Sequence, residues 1–158
     1  MDLLAELAAE NRGVLRRIAS RIDLQAQSQE LVAATRQAIA DATDFDERDI
    51  NHNFDYDYEA YDEVKRNFRR LIESGELPLA MELALELMKQ GSYQVEMSDE
   101  GLMTQDIEEC LGEVLSALKK HALPPREIIA WCAEMLKRDR VKFICRRQIE
   151  ALRASFET

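Results

Sequence analysis

Apolar residues recur every three to four positions along most of the chain, which is the spacing of amphipathic helices, and strand-like alternation is sustained nowhere. Two short stripes open the chain, one on each side of Asn11-Arg12-Gly13, and predict two short helices with a break between them. A third helix is predicted from about Ser28, as its N-cap, to Asp41. The apolar members of the first two stripes are Leu3, Leu4, Leu7 and Ala8, then Val14, Leu15, Ile18, Ala19 and Ile22.

The best-defined unit is a helical hairpin between residues 58 and 91. Its first helix is predicted to end at Gly75, and its second to carry Pro78 in the first turn and to end at Gly91. Two helices of similar length on either side of a short turn predict an antiparallel pair. Their stripes are Tyr58, Tyr61, Val64, Phe68, Leu71 and Ile72, then Leu77, Met81, Ala84, Leu85 and Met88.

After a loop at residues 92–101, three more helices are predicted. One spans about 102–118, one follows Pro124-Pro125, and the last starts at about Arg140. The total of about eight helices in antiparallel pairs predicts an all-α fold, either an α-solenoid of the HEAT or tetratricopeptide kind or an irregular helical bundle. We expect one domain over residues 1–158, or two sub-units, 1–43 and 53–158, joined by an acidic loop at 44–52.

Composition narrows the function classes. The formal net charge of −10 disfavours direct binding to nucleic acid. From Arg126 onward, however, eight basic residues stand against five acidic ones, so an acidic N-terminal half of one copy could contact the basic C-terminal end of another in a head-to-tail homo-oligomer. Apolar runs are far shorter than the roughly 20 residues that span a bilayer, so no membrane partner is expected. Three widely spaced cysteines, Cys110, Cys132 and Cys145, predict buried free thiols and a reducing, cytoplasmic location.

Charge is concentrated in residues 41–63, the acidic segment, where ten carboxylates and one arginine give a net charge of −9 and five of the ten aromatic residues lie. Three explanations compete. The first is a calcium loop, because the carboxylate and amide spacing from Asn51 to Asp62 follows an EF-hand, but Tyr56 stands where that loop needs glycine. The second is capping of the next helix by residues such as Asp57 and Glu59. The third is a surface for a basic protein partner.

Helix capping does not explain the charged residues in the first part of the acidic segment, because no helical period of apolar residues accompanies them. We therefore take them as candidate partner-binding residues: Asp44, Asp46, Glu47, Asp49 and His52. Trp131 lies beside the apolar stripe of its helix and is either a further contact residue or the edge of the core. No spacing of nucleophile, histidine and acid, and no metal-ligand motif, predicts catalysis, a metal or a cofactor.

A set of short stretches over residues 1–120 shares the residue pattern of one known helical region. These stretches are Leu3–Ala8, Arg36–Thr43, Phe54–Tyr56, Glu59–Tyr61, Val64, Leu71–Gly75, Met81–Ala84 and Ser98–Gly101. In them the chain resembles the helical region that accompanies SWIM zinc fingers in many bacterial proteins, although the zinc-binding Cys-x-Cys and Cys-x-His pairs are missing from the sequence. The resemblance implies an all-α, repeat-like domain attached to a module that contacts nucleic acid or protein, without catalytic residues of its own.

These observations predict a non-enzymatic protein-interaction or scaffold domain with a protein partner. The alternative is an accessory helical domain of a nucleic-acid-associated system, in which another module supplies the chemistry or the DNA contact.

Overall fold

The computed structural model describes residues 3–45, 56–121 and 123–157, and within the first helix it describes side chains at residues 16–19 and 22–43. Over the described residues the fold is all-α, as predicted, with six helices and no strand. The helices are α1 (Leu3–Thr43), α2 (Tyr58–Glu73), α3 (Leu77–Met97), α4 (Thr104–Lys120), α5 (Pro125–Arg138) and α6 (Arg146–Phe156).

The described part of the chain has six helices rather than about eight because the first three predicted helices are one. α1 runs without a break through Asn11-Arg12-Gly13 for 41 residues. A glycine inside a helix costs about 1 kcal/mol relative to alanine, which weakens a helix but does not end it. Ser28 is therefore a mid-helix residue rather than an N-cap, and its hydroxyl donates to Glu76 Oε1 at 3.3 Å.

The predicted α2–α3 hairpin is confirmed. α2 begins where the Asp57 carboxylate accepts a hydrogen bond from the Ala60 backbone N–H at 2.9 Å, and Pro78 lies in the first turn of α3. The turn between them uses Gly75 at φ 78°, in the left-handed region that glycine adopts without steric cost. The Glu76 N–H closes the turn by donating to the Leu71 carbonyl at 2.8 Å.

Gly91 does not end α3, which continues to Met97. A Cβ at Gly91 would lie 2.9 Å from Ile107 Cδ1 on α4. The glycine is therefore needed for close packing of α3 against α4, and the prediction that it stops the helix was wrong.

α1 and α3 pack against each other in a parallel orientation. The C-terminal half of α1 packs on both helices of the hairpin. Along α1 and α3, Ser28 meets Glu76, and Arg36 Nε donates to Glu86 Oε1 at 3.0 Å. Because both partners advance together along the sequence, the two helices run in the same direction.

The same relation holds between α2 and α4 and between α3 and α5. Lys65 pairs with Glu109 at 3.5 Å and Arg69 with Glu113 at 2.8 Å, so α2 and α4 are parallel. Between α3 and α5, Trp131 Nε1 donates to the Met81 carbonyl at 2.9 Å and the Ser92 hydroxyl donates to the Arg138 carbonyl at 3.1 Å, so these helices are parallel too.

α6 completes the described fold by packing against α5 and α4.

One continuous apolar core joins these helices. Its members come from the C-terminal half of α1 and from all the later helices. In the described part of the chain, no helix combines the length and the apolar character needed to cross a bilayer. The largest fully buried side chains are Tyr61, Phe68, Ile39, Leu71, Leu83, Leu87, Met88, Ile107, Leu111, Leu118, Ile128 and Met135.

Candidate functional site

The N-terminal part of α1, residues 3–27, is here called the α1 arm. Every arm side chain that the structure describes, at residues 16–19 and 22–27, is exposed. Three of them are large apolar residues, and Ile18, Ile22 and Leu24 expose 48%, 58% and 62% of their surface. Burial begins near Ser28 and Leu31, so Ile18 and Ile22 are left largely uncovered by the described chain, whereas Leu24 lines a cleft with Arg70, Ser74 and Glu76.

Asp44 is the one predicted partner-binding residue of the acidic segment that the structure describes. It is exposed just beyond the end of α1 and lines two open clefts, one beside Phe45 and Tyr93 and the other beside Tyr56 and Asp57. The other four predicted residues of this set lie outside the described residues: Asp46, Glu47, Asp49 and His52.

Buried and partly buried hydrogen bonds hold both ends of the acidic segment against α3 and α4. The Gln94 amide on α3 donates to the Ala42 carbonyl at the end of α1 at 3.0 Å and accepts from the Tyr61 hydroxyl of α2. Tyr56 donates its hydroxyl to Asp106 on α4. Burial, and then the Asp106 carboxylate, raises the pKa of Tyr56 to about 12, and burial also raises the pKa of Tyr61. Both tyrosines therefore remain neutral donors at physiological pH. The aromatic residues at the end of the segment therefore serve the fold.

Trp131 belongs to the core, which corrects its assignment as a candidate contact residue. Its side chain is 5% exposed, and its indole N–H donates to the Met81 carbonyl at 2.9 Å. The alternative, a residue at the edge of the core, matches its position between α5 and α3.

The three cysteines are buried free thiols, as predicted. Burial raises the pKa of Cys110 and Cys145 to about 12 and of Cys132 to about 11, which opposes thiolate chemistry at neutral pH. Among the described residues, no group of three or more His, Cys, Asp or Glu side chains could hold a metal ion.

Residues 139–145 between α5 and α6 form a hydrogen-bonded loop, so the prediction of a helix from Arg140 was wrong. Asp139 is 3% exposed, and its carboxylate accepts backbone hydrogen bonds from Val141, Lys142 and Ile144 at 3.0, 2.9 and 2.9 Å. Lys142 at φ 64° and Cys145 at φ 52° adopt left-handed conformations that cost non-glycine residues about 1–2 kcal/mol each. In the sequence, only an aspartate followed by residues without a helical apolar period indicates a turn at this point.

The loop presents four residues that we call the basic corner: Lys142, Phe143, Arg146 and Arg147. All four are exposed, and they line one cleft together with Glu108 and Gln148. Arg146 donates to the Lys142 carbonyl at 3.2 Å and pairs with Glu150 at 2.9 Å. The corner therefore combines positive charge with an aromatic side chain on a backbone held by Asp139.

Comparison with protein-family models, curated proteins and solved structures gives no match to this chain. The resemblance to the helical region of SWIM zinc finger proteins stays a prediction.

Proposed function

We propose that this chain is a non-enzymatic protein-interaction or scaffold domain that binds its partner through the α1 arm. The observation that carries the proposal is the exposure of Ile18, Ile22 and Leu24 on a helix whose other half is packed into the bundle. A helical apolar face laid into a groove or against another helix is a recurring mode of protein recognition. Burying an aliphatic side chain of this size contributes about 1.5–3 kcal/mol, so Ile18 and Ile22, which lie one turn apart on the same face of α1, form an effective anchor.

We further propose that the helices form a short array of the α-solenoid type. Support comes from the parallel packing of alternate helices, α1 with α3, α2 with α4 and α3 with α5. The hydrogen-bonded residues in these pairs are separated by 44 to 52 positions, which favours one repeated unit of paired helices. Such arrays are suited to scaffolding because they present extended surfaces.

The acidic segment is proposed as a second contact surface, for a basic partner. Asp44 is exposed at the point where this segment leaves α1, beside a cleft lined by Phe45 and Tyr93. A cluster of carboxylates steers a positively charged partner toward the surface and raises the association rate more than the affinity. Asp46, Glu47, Asp49 and His52 complete this proposed surface by their sequence positions.

The arm is tested by affinity capture with a double variant, Ile18→Glu/Ile22→Glu. The matched control is Leu102→Glu, which changes another large apolar residue, 49% exposed, outside the arm. We expect the double variant to lose its partner while the control keeps it, with circular dichroism showing equal helix content in all three proteins. Retention of the same partner by the double variant would remove the arm from the proposal.

The basic corner favours a second candidate, an accessory domain of a nucleic-acid-associated system. Cations around an exposed aromatic side chain suit the phosphates and bases of single strands. For this chain alone we expect no shift of labelled DNA, since the DNA contact would lie in another module. A salt-dependent shift would favour this candidate over the scaffold, and its loss in Lys142→Ala/Arg147→Ala would assign the contact to the basic corner.

A further inference from the structure

Outside the α1 arm, the described chain exposes three large apolar side chains: Tyr58, Leu102 and Phe143, at 59%, 49% and 54% of their surface. Each lies where a helix begins, since Tyr58 is the first residue of α2, Leu102 precedes α4 and Phe143 precedes α6. α2 and α4 are parallel, and the Cys145 N–H donates to Glu108 Oε2 at 2.9 Å, which holds the start of α6 beside the start of α4. All three exposed side chains therefore lie at the same end of the bundle.

Tyr58 and Leu102 form one apolar surface between α2 and α4. The ion pair Lys65–Glu109 joins residues 44 positions apart, as does the second α2–α4 ion pair, and this register places Tyr58 at the level of Leu102. Tyr58 also lies two helical turns before Lys65 and is therefore on the side of α2 that faces α4.

Carboxylates surround this apolar surface. Asp62 lies one turn after Tyr58 on α2, and Asp99 and Glu100 come just before Leu102 in the chain. The three acidic side chains are exposed, and none of them is in an ion pair with another described residue. We call these five residues the α2–α4 patch: Tyr58, Asp62, Asp99, Glu100 and Leu102.

The basic corner has the opposite charge around its own apolar side chain. Phe143 is flanked there by Lys142 and Arg147, which are exposed and form no ion pair within the described part of the chain. Arg146, in contrast, is already paired with Glu150 at 2.9 Å. The corner therefore offers one aromatic ring and two cations to a surface that carries apolar side chains and carboxylates.

We infer that two copies of this chain associate at this end of the bundle, with the basic corner of each copy on the α2–α4 patch of the other. Opposite charges around apolar side chains are the complementarity that selects a partner and orients it, while the buried apolar centre supplies affinity. The inference goes beyond the proposed function, because none of these residues belongs to the α1 arm.

The positions of the two surfaces indicate a closed, two-fold dimer. Corner and patch lie on either side of the first turns of α4. Asp106 accepts a hydrogen bond from Tyr56 on the α2 side, whereas Glu108 lines the cleft of the basic corner. A two-fold axis near the start of α4 therefore makes both corner-to-patch contacts at once, in the commonest symmetry of soluble oligomers.

Sedimentation equilibrium of the full chain tests the association, and we expect a concentration-dependent equilibrium between monomer and dimer. Phe143→Ala should raise the dimer Kd by about tenfold or more, because each dimer loses the burial of two phenylalanine rings. The matched control Ile18→Glu/Ile22→Glu changes exposed apolar residues of the arm and should leave the Kd unchanged. A full chain that stays monomeric at all concentrations, species larger than a dimer, or a Kd that Phe143→Ala leaves unchanged would overturn the inference.

A charge exchange tests which surfaces meet. Asp62→Lys/Glu100→Lys makes the patch basic, and Lys142→Glu/Arg147→Glu makes the corner acidic. Each double variant alone places like charges at both contacts and should raise the dimer Kd by about tenfold or more at low salt, with a smaller effect at high salt. All four positions are exposed, and circular dichroism should show equal helix content in both variants.

Mixing the two double variants in equal amounts decides the outcome. In the mixed dimer the basic corner meets the acidic patch at one contact, and the acidic corner meets the basic patch at the other. We expect a heterodimer with a Kd close to that of the wild-type dimer. Absence of this heterodimer would overturn the inference.

The proposed function is tested separately by the same variants. Phe143→Ala should weaken the dimer and keep any protein captured through the α1 arm, whereas Ile18→Glu/Ile22→Glu should do the reverse. Failure of self-association therefore leaves the arm-dependent proposal standing, and failure of capture leaves the dimer standing.

Discussion

The most specific structural prediction concerns Asp139, whose carboxylate organises the loop between α5 and α6. Replacement by alanine removes the acceptor for three backbone N–H groups, those of Val141, Lys142 and Ile144. Ile144 is fully buried, so its N–H has no ready access to water once the carboxylate is gone. The substitution also releases the left-handed backbone at Lys142 and Cys145 from the contacts that hold it.

The size of the effect follows from these contacts. A hydrogen bond to a charged group contributes about 1.5–3 kcal/mol, and three bonds to one carboxylate are not fully additive. Water can replace part of the loss at Lys142, which is exposed, but not at Ile144. We therefore expect Asp139→Ala to lower the free energy of unfolding by about 3–5 kcal/mol. Asp139→Asn keeps one acceptor oxygen and should lower it by about 2 kcal/mol.

The assay is urea denaturation followed by circular dichroism, with wild-type, Asp139→Ala and Asp139→Asn proteins under the same buffer conditions. The matched control is Asp99→Ala, the same chemical change at an exposed aspartate, which should stay within about 0.5 kcal/mol of wild type. If Asp139→Ala were as stable as this control, the loop would not depend on the carboxylate and the reasoning would be refuted.

Three further predictions address packing and pH. Gly91→Val should destabilise the fold by about 2 kcal/mol or more in urea denaturation, because a Cβ at Gly91 would lie 2.9 Å from Ile107 Cδ1. The control Gly112→Ala, with nothing within 4 Å of its Cβ, should be neutral or should stabilise the fold by up to about 1 kcal/mol. Equal effects of the two substitutions would contradict the packing argument. Trp131→Phe should cost about 2–4 kcal/mol in urea denaturation, through a lost hydrogen bond and a cavity, whereas a surface residue would cost almost nothing. The pKa of Tyr56 in the folded protein is about 12, above the usual 10.0, so its contribution to stability is present below pH 10 and is lost as the pH rises toward 12. Tyr56→Phe should therefore make the urea midpoint fall less between pH 9 and pH 11. If the midpoint of the variant fell as steeply with pH as that of wild type, the raised pKa of Tyr56 would be refuted.

The helical hairpin was predictable because its signals are local. Gly75 ends α2 through a positive φ, and Pro78 begins α3, where a missing N–H costs no hydrogen bond. Gly91 carried the same sequence signal but a different role, since contact with Ile107 is visible only once α4 is packed against α3. Turn propensity alone could not separate a stop from a close helix contact.

The candidate site was only partly predictable. Asp44 is exposed as expected, whereas Trp131 is core: its position beside the apolar stripe left two roles open, and only its contact with Met81 on α3 decides between them. Apolar periodicity looks the same whether the residues pack on the chain's own core or on another molecule. Ile18 belongs to a predicted apolar stripe, and only the packed structure shows its exposure.

Amide hydrogen exchange over residues 16–27 tests the central claim, that the α1 arm is a binding element, most directly. The exchange rates are compared between the dilute protein and the same protein with its partner bound. We predict that protection rises strongly over residues 16–27, where Ile18 and Ile22 become covered, and changes little over the α2–α3 hairpin, which is already packed. Unchanged exchange in the arm, with new protection elsewhere, would contradict the claim.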